Sequence, residues 1–132
     1  PDEVLTRLGR SLREIDPSTL HPDPEEGPVR WFLGESGTEI TAWVDEQGTP
    51  RHIQIVFARV SLEWTERGVV TGTFDPKGTT AGGRYDPYLL RVGAGVDEDV
   101  CRAAITLLEA ASIDDAVKRP VLQALHQVVA SV

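Results

Sequence analysis

From Val29 to Phe74 the chain alternates apolar and polar residues in five short runs: Val29–Leu33, Ile40–Val44, Ile53–Phe57, Val60–Trp64 and Val70–Phe74. A period of two over about five residues predicts half-buried strands. Turn residues separate them at spacings that suit an antiparallel meander. Gly34 and Gly37 bracket the first connection, Gly48 and Pro50 mark the second, and Glu66-Arg67-Gly68 makes a short hairpin loop. Tyr85 to Val92 reads as a further strand, with Pro87 confined to a sheet edge.

One stretch breaks the alternation. Ile53, Ile55 and Phe57 share one face, whereas Val56, Ala58, Val60, Leu62 and Trp64 share the other. A straight strand cannot bury both sets on one side. The phase change near Phe57 therefore predicts a β-bulge, or a bend between two shorter strands.

Helical periodicity flanks these runs. Asp2 caps a first helix extending to about Ile15, with Val4, Leu5, Leu8, Leu12 and Ile15 on one stripe. Arg7, Arg10 and Arg13 lie off it and read as a solvated face, or as a grip for an acidic partner. Asp16-Pro17 stops this helix. Asp97 caps a second helix to about Ala111, whose inner face holds Val100, Ala104, Leu107 and Leu108. Ser112-Ile113-Asp114-Asp115 resembles a capping box opening a third segment, which Pro120 should restart or kink. Val121, Leu122, Leu125, Val128 and Val129 continue its apolar face.

The fold class is accordingly α+β: an N-terminal helix, a four- to six-stranded antiparallel sheet meander and two C-terminal helical segments. Residues 1–132 read as a single domain, with 16–28 an acidic, proline-rich linker between helix one and the sheet. The length supports this, since a domain of this size buries about two thirds of its unfolded surface and needs no disulfide or metal staple. The chain begins at Pro1, so it reads as trimmed or as a fragment.

Charge narrows the partners. With 21 acidic and 13 basic residues the net charge is −8. Nucleic acids and anionic membrane surfaces are disfavoured, because both need cations to neutralise phosphates. A basic protein partner suits the charge better; the homodimer also expected rests on the sheet faces instead. No apolar run reaches about 18 residues, so no membrane span is expected. The single cysteine, Cys101, lies on a helical stripe and reads as a small buried hydrophobe, slow to react, in a reducing cytoplasm. Eleven arginines against two lysines, with no asparagine, suggest a GC-rich bacterium.

Candidate chemistry is sparse. Gly34-Glu35-Ser36-Gly37-Thr38 nearly spells a nucleophile elbow, but Thr38 replaces the last glycine and a strand follows where a helix is needed. Ser36 therefore reads as a turn residue. The glycine-rich stretch Asp75–Arg84 matches no phosphate-binding loop. His21, His52 and His126 are spread over linker, strand and helix without metal-ligand spacing, so neither metal nor cofactor is expected. His52, Glu63, Arg84 and Tyr85 lie on or beside the sheet and could line a small ligand or proton-transfer site near the Gly78–Tyr85 loop.

Sheet faces offer a different signal. Taking Trp31, Leu33, Ile40, Ala42, Val44, Ile53 and Ile55 as the helix-facing set places Phe32, Trp43 and Val56 opposite, as a patch able to serve as a protein interface. The sequence thus predicts a non-enzymatic bacterial adaptor or regulator, self-associating through a sheet face. The alternatives are a small enzyme or ligand-binding protein, or a secretion chaperone. The order of one helix and three strands resembles that of small acidic secretion chaperones, which act as dimers. The resemblance is of element order, without the helix such proteins carry between strands.

Overall fold

The computed structural model describes residues 2–16, 27–73 and 96–130. Helix α1 (Asp2–Ser11) is followed by a two-residue strand, β1 (Arg13–Glu14). Then come β2 (Val29–Leu33), β3 (Glu39–Val44), β4 (Pro50–Phe57), β5 (Val60–Thr65) and β6 (Gly68–Thr73), and finally α2 (Glu98–Ala110) and α3 (Asp115–Ala130). The six strands form one antiparallel meander in chain order. The α+β architecture read from the pattern is the architecture found. The linker residues 17–26, the glycine-rich stretch and the strand expected at Tyr85–Val92 lie outside the described residues.

The helices cover one face of the sheet. Phe32, Ile40, Ala42, Ile53, Ile55, Phe57, Leu62 and Trp64 form a single buried cluster with Leu8 and Leu12 of the N-terminal segment, Cys101, Ala104, Leu107 and Leu108 of α2, and Val117, Val121 and Leu125 of α3. Cys101 is fully buried, and burial is the main cause pushing its thiol pKa up. Asp97 caps α2 as expected, its carboxylate accepting from the Asp99 and Val100 N–H groups. Asp114 rather than Ser112 caps α3, accepting from the Ala116 N–H at 3.0 Å. Pro120 lies inside α3, which runs as one element through it.

The first helix is shorter than its apolar stripe suggests. Ser11 ends it by donating to the Leu8 carbonyl at 2.6 Å while accepting the Glu35 N–H at 2.8 Å. The Arg13 guanidinium satisfies the Arg10 and Leu12 carbonyls. Arg13 and Glu14 then pair with Leu33 and Phe32, and the Ile15 N–H donates to the Trp31 carbonyl. The edge of β2 claims these residues, and a helix to Ile15 would leave that edge unpaired.

The apolar phase change near Phe57 is a complete chain reversal. Phe57 pairs with Val60, and the two residues between them, Ala58 and Arg59, have φ of 46° and 65°. Two consecutive positive φ values mark a type I′ hairpin turn, which normally takes Asn-Gly. A two-residue turn makes odd positions of β4 and even positions of β5 share a face, which is the shift seen in the sequence. A register irregularity does occur, but at the far end of β4. Trp43 pairs with His52 and Val44 with Pro50, leaving Arg51 as the extra residue.

Two expectations follow. Ala58 and Arg59 hold a conformation that costs L-residues about 1–2 kcal/mol each. Arg59→Gly with Ala58→Asn should therefore raise stability by about 1 kcal/mol in urea titrations; unchanged or lower stability would show that the turn is unstrained. At Gly9 the sign reverses. A Cβ there would sit 2.2 Å from the Leu107 carbonyl oxygen, so α1 and α2 touch backbone to backbone. Gly→Ala in an open helix gains up to about 1 kcal/mol. Here overpacking should win, and Gly9→Ala should lower stability by about 1–3 kcal/mol; a gain would mean that α1 does not seat at this contact.

Candidate sheet-face site

The register assigns each strand residue to a face. Across β2, β3, β4 and β5, one row facing away from the helices holds Trp31, Thr41, Gln54 and Glu63. On one side lies the row Leu33, Glu39, Val56 and Ser61; on the other, Val29, Trp43, His52 and Thr65. The β4–β5 part of this face is buried, with Gln54 at 7%, Val56 at 4% and Glu63 at 4% exposure. On the β2–β3 part, Trp31, Leu33, Glu39, Thr41 and Trp43 are half-buried.

The patch read from the sequence is corrected here. Trp43 and Val56 share this face, but Phe32 does not; it pairs with Ile40 and is buried in the helix-side core at 1% exposure. Trp31 and Leu33 take the outward positions instead. Strand β2 is apolar at three successive residues, Trp31-Phe32-Leu33, so its own pattern carries no phase. The five residues Gly34–Thr38 set it, through a turn in which Ser36 and Gly37 both have positive φ. Ser36 is an exposed residue of that turn, as its sequence context predicted.

Two polar arrangements occupy the face. In the first, the Trp31 Nε1–H donates to Glu39 Oε1 at 3.0 Å and the Thr41 hydroxyl approaches the same oxygen at 3.5 Å. Burial raises the Glu39 carboxyl pKa above its ordinary 4.5, and these hydrogen bonds offset part of the rise. In the second, the Trp43 indole stacks on the His52 imidazole with ring centroids 4.5 Å apart and planes 17° from parallel. His52 Nε2 lies 3.7 Å from Glu63 Oε2, beyond hydrogen-bond range, and is itself buried. The structure thus brings together His52 and Glu63 from the anticipated ligand site. Arg84 and Tyr85 lie outside the described residues.

The remaining candidates stay apart. Arg7 is exposed and pairs with Glu35 at 3.0 Å, and Arg7, Arg10 and Arg13 line a shallow dent that also holds Asp2 and Glu3. The acids interleaved with them fit a solvated face. His126 is exposed on α3. Among the described residues no group of three His, Cys, Asp or Glu side chains could hold a metal, and no helix is long and apolar enough to cross a membrane.

No family model, curated protein or solved structure matches this chain. Its function is therefore argued from the face itself.

Sequence reasoning missed Trp31, Leu33, Glu39 and Gln54 as members of this face. One signal was available: Ile40 and Ala42 have the clearest core phase, and pairing β2 against β3 with an odd-length connection puts Phe32 beside Ile40.

Glu39 makes the face sensitive to pH. Its folded-state pKa is raised, so the folded chain holds this proton more tightly than the unfolded chain. The stability this contributes is complete below the ordinary value of 4.5 and is lost as pH rises through the folded-state value. Glu39→Gln stays neutral and keeps an acceptor for Trp31. From about pH 4 to about pH 7 the parent should lose stability relative to Glu39→Gln, measured as urea midpoints. Parallel curves for the two proteins would show that Glu39 titrates alike folded and unfolded.

Proposed function

We propose that this chain is a non-enzymatic protein-binding module, an adaptor or regulator, that engages its partner through the β2–β3 part of the outer sheet face. The observation carrying this reading is the placement of Trp31, Leu33 and Trp43, half-exposed and adjacent, outside the buried core. Tryptophan is the residue most enriched among interface anchors. Burying the remaining surface of the two partly exposed tryptophans would remove at most about 200 Å² from water, or up to about 5 kcal/mol at ~25 cal/mol/Å². Association costs about 4–15 kcal/mol, so the tryptophans anchor an interface whose rim must supply the rest. A bacterial, cytoplasmic setting accompanies this reading, with Cys101 a buried free thiol. The partner is another protein or a second copy; a secretion-chaperone-like role is one form of the same reading.

The His52–Glu63 approach favours a second reading, a small enzyme or ligand-binding protein with proton-transfer chemistry. The burial of His52 Nε2 weighs against it, because the basic atom must reach a substrate.

Trp43→Glu discriminates between the two. Under the binding reading it abolishes self-association, measured by light scattering, or the capture of a native partner, and leaves the far-UV circular dichroism unchanged. A monomeric parent whose Trp43→Glu variant keeps every captured partner would exclude this face as the interface.

A further inference from the structure

Resting on the reading of this face as a docking surface, we infer that its occupant is a cationic side chain, arginine or lysine, of a basic protein segment, seated over Thr41 between Trp31, Trp43 and Glu39. Thr41 is the small residue at the centre of the half-exposed region. Trp31 stands across from it on β2, and Glu39 and Trp43 stand two residues to either side on β3, each about 7 Å away along the strand.

Glu39 decides the sign of the occupant's charge. It is a half-buried carboxylate that, among the described residues, accepts hydrogen bonds from Trp31 and Thr41 and pairs with no basic side chain. Any surface laid over this face desolvates that carboxylate further and pushes its pKa up again, unless a cation accompanies the burial. The two indoles add to the preference, since their negative ring faces attract guanidinium and ammonium groups. His52 stacks on one face of Trp43, and Val29 is the cross-strand neighbour of Trp43 on the other side. The Gln54 amide, opposite Thr41 on β4, is buried, and its Nε2 has no hydrogen-bond partner.

Charge also separates this occupant from a second copy. A symmetric dimer through this face would bring two acidic surfaces together and bury two Glu39 carboxylates, with Arg13, opposite Leu33 on β1, as the basic side chain of the same face. A copy donating its exposed Arg7 or Arg10 would make a head-to-tail contact, which leads to rings or open chains rather than a closed pair. The net charge of −8 speeds the approach of a basic segment and opposes that of another acidic chain.

The test uses acetyl-tetraarginine amide and the matched tetracitrulline peptide, which keeps the shape and loses the charge. The readout is the Trp31 indole N–H resonance in ¹H–¹⁵N spectra of the intact chain, because that proton is bonded to Glu39. The arginine peptide should shift this resonance saturably and the citrulline peptide should not. Glu39→Gln, checked for an unchanged fold by circular dichroism, should weaken arginine-peptide binding at least about tenfold. Equal shifts from both peptides, no shift at millimolar arginine peptide, or unchanged affinity in Glu39→Gln would each overturn the inference; the last would mean diffuse attraction to an acidic surface. If Trp43→Glu abolishes partner capture or a parent dimer while the arginine peptide does nothing, the docking face stands and its cationic occupant falls. If Trp43→Glu changes no association and the peptide does not bind, both fall.

Discussion

The seating of α2 is the constraint on which the rest of this fold depends. Cys101, Ala104, Leu107 and Leu108 are all fully or almost fully buried, and they meet the apolar side of the sheet. A helix can come this close only if its other neighbours leave room. Gly9 provides that room by letting α1 lie with its backbone against the Leu107 carbonyl. On the other side, α3 is tied to the end of α2 by the Lys118 ammonium, which donates to the Ala111 carbonyl at 2.8 Å. The three helices thus cover one sheet face as a unit.

A polar network holds the remote corner together. Arg30 on β2 reaches Glu14 of β1 with two hydrogen bonds at 2.9 and 2.8 Å and Asp114 at 3.1 Å, with its guanidinium 5.5 Å from the centre of the Phe32 ring. The backbone N–H of Ala116 and then Arg30 hold the Asp114 carboxyl pKa below its ordinary value. One side chain therefore links the sheet edge, the core aromatic and the cap of α3. Arginine suits this position because its planar fork serves several carboxylates at once.

The outer face follows a different logic from the core. Gln54, Ser61 and Glu63 are buried there beside Val56, and Glu39 and His52 are half-buried beside two tryptophans. Residues that are costly to bury are concentrated on one side, and the tryptophans among them sit at its partly exposed end. A face built only for stability would carry aliphatic residues in the buried rows and charges at the rim.

The sequence by itself determined the class of the fold, the five longer strands to within about three residues, both C-terminal helices and the burial of Cys101. These depend on local periodicity and on caps such as Asp97, which act within a few residues of themselves. It did not determine where α1 ends, because Leu12 and Ile15 continue a helical stripe and only the edge of β2 draws Arg13 and Glu14 out of it. It showed the phase change at Phe57 but not the reversal, because Ala58-Arg59 lacks the residues that normally announce such a turn. It left the phase of β2 open, since Trp31-Phe32-Leu33 is apolar on both sides and a strand's face is decided by its partner. The pairing of Phe32 with Ile40 settled that choice, sending Phe32 into the core and Trp31 to the outer face. That pairing is a contact between residues eight apart across a turn of unusual backbone, so the pattern of β2 taken alone could not choose it, and the tertiary structure did.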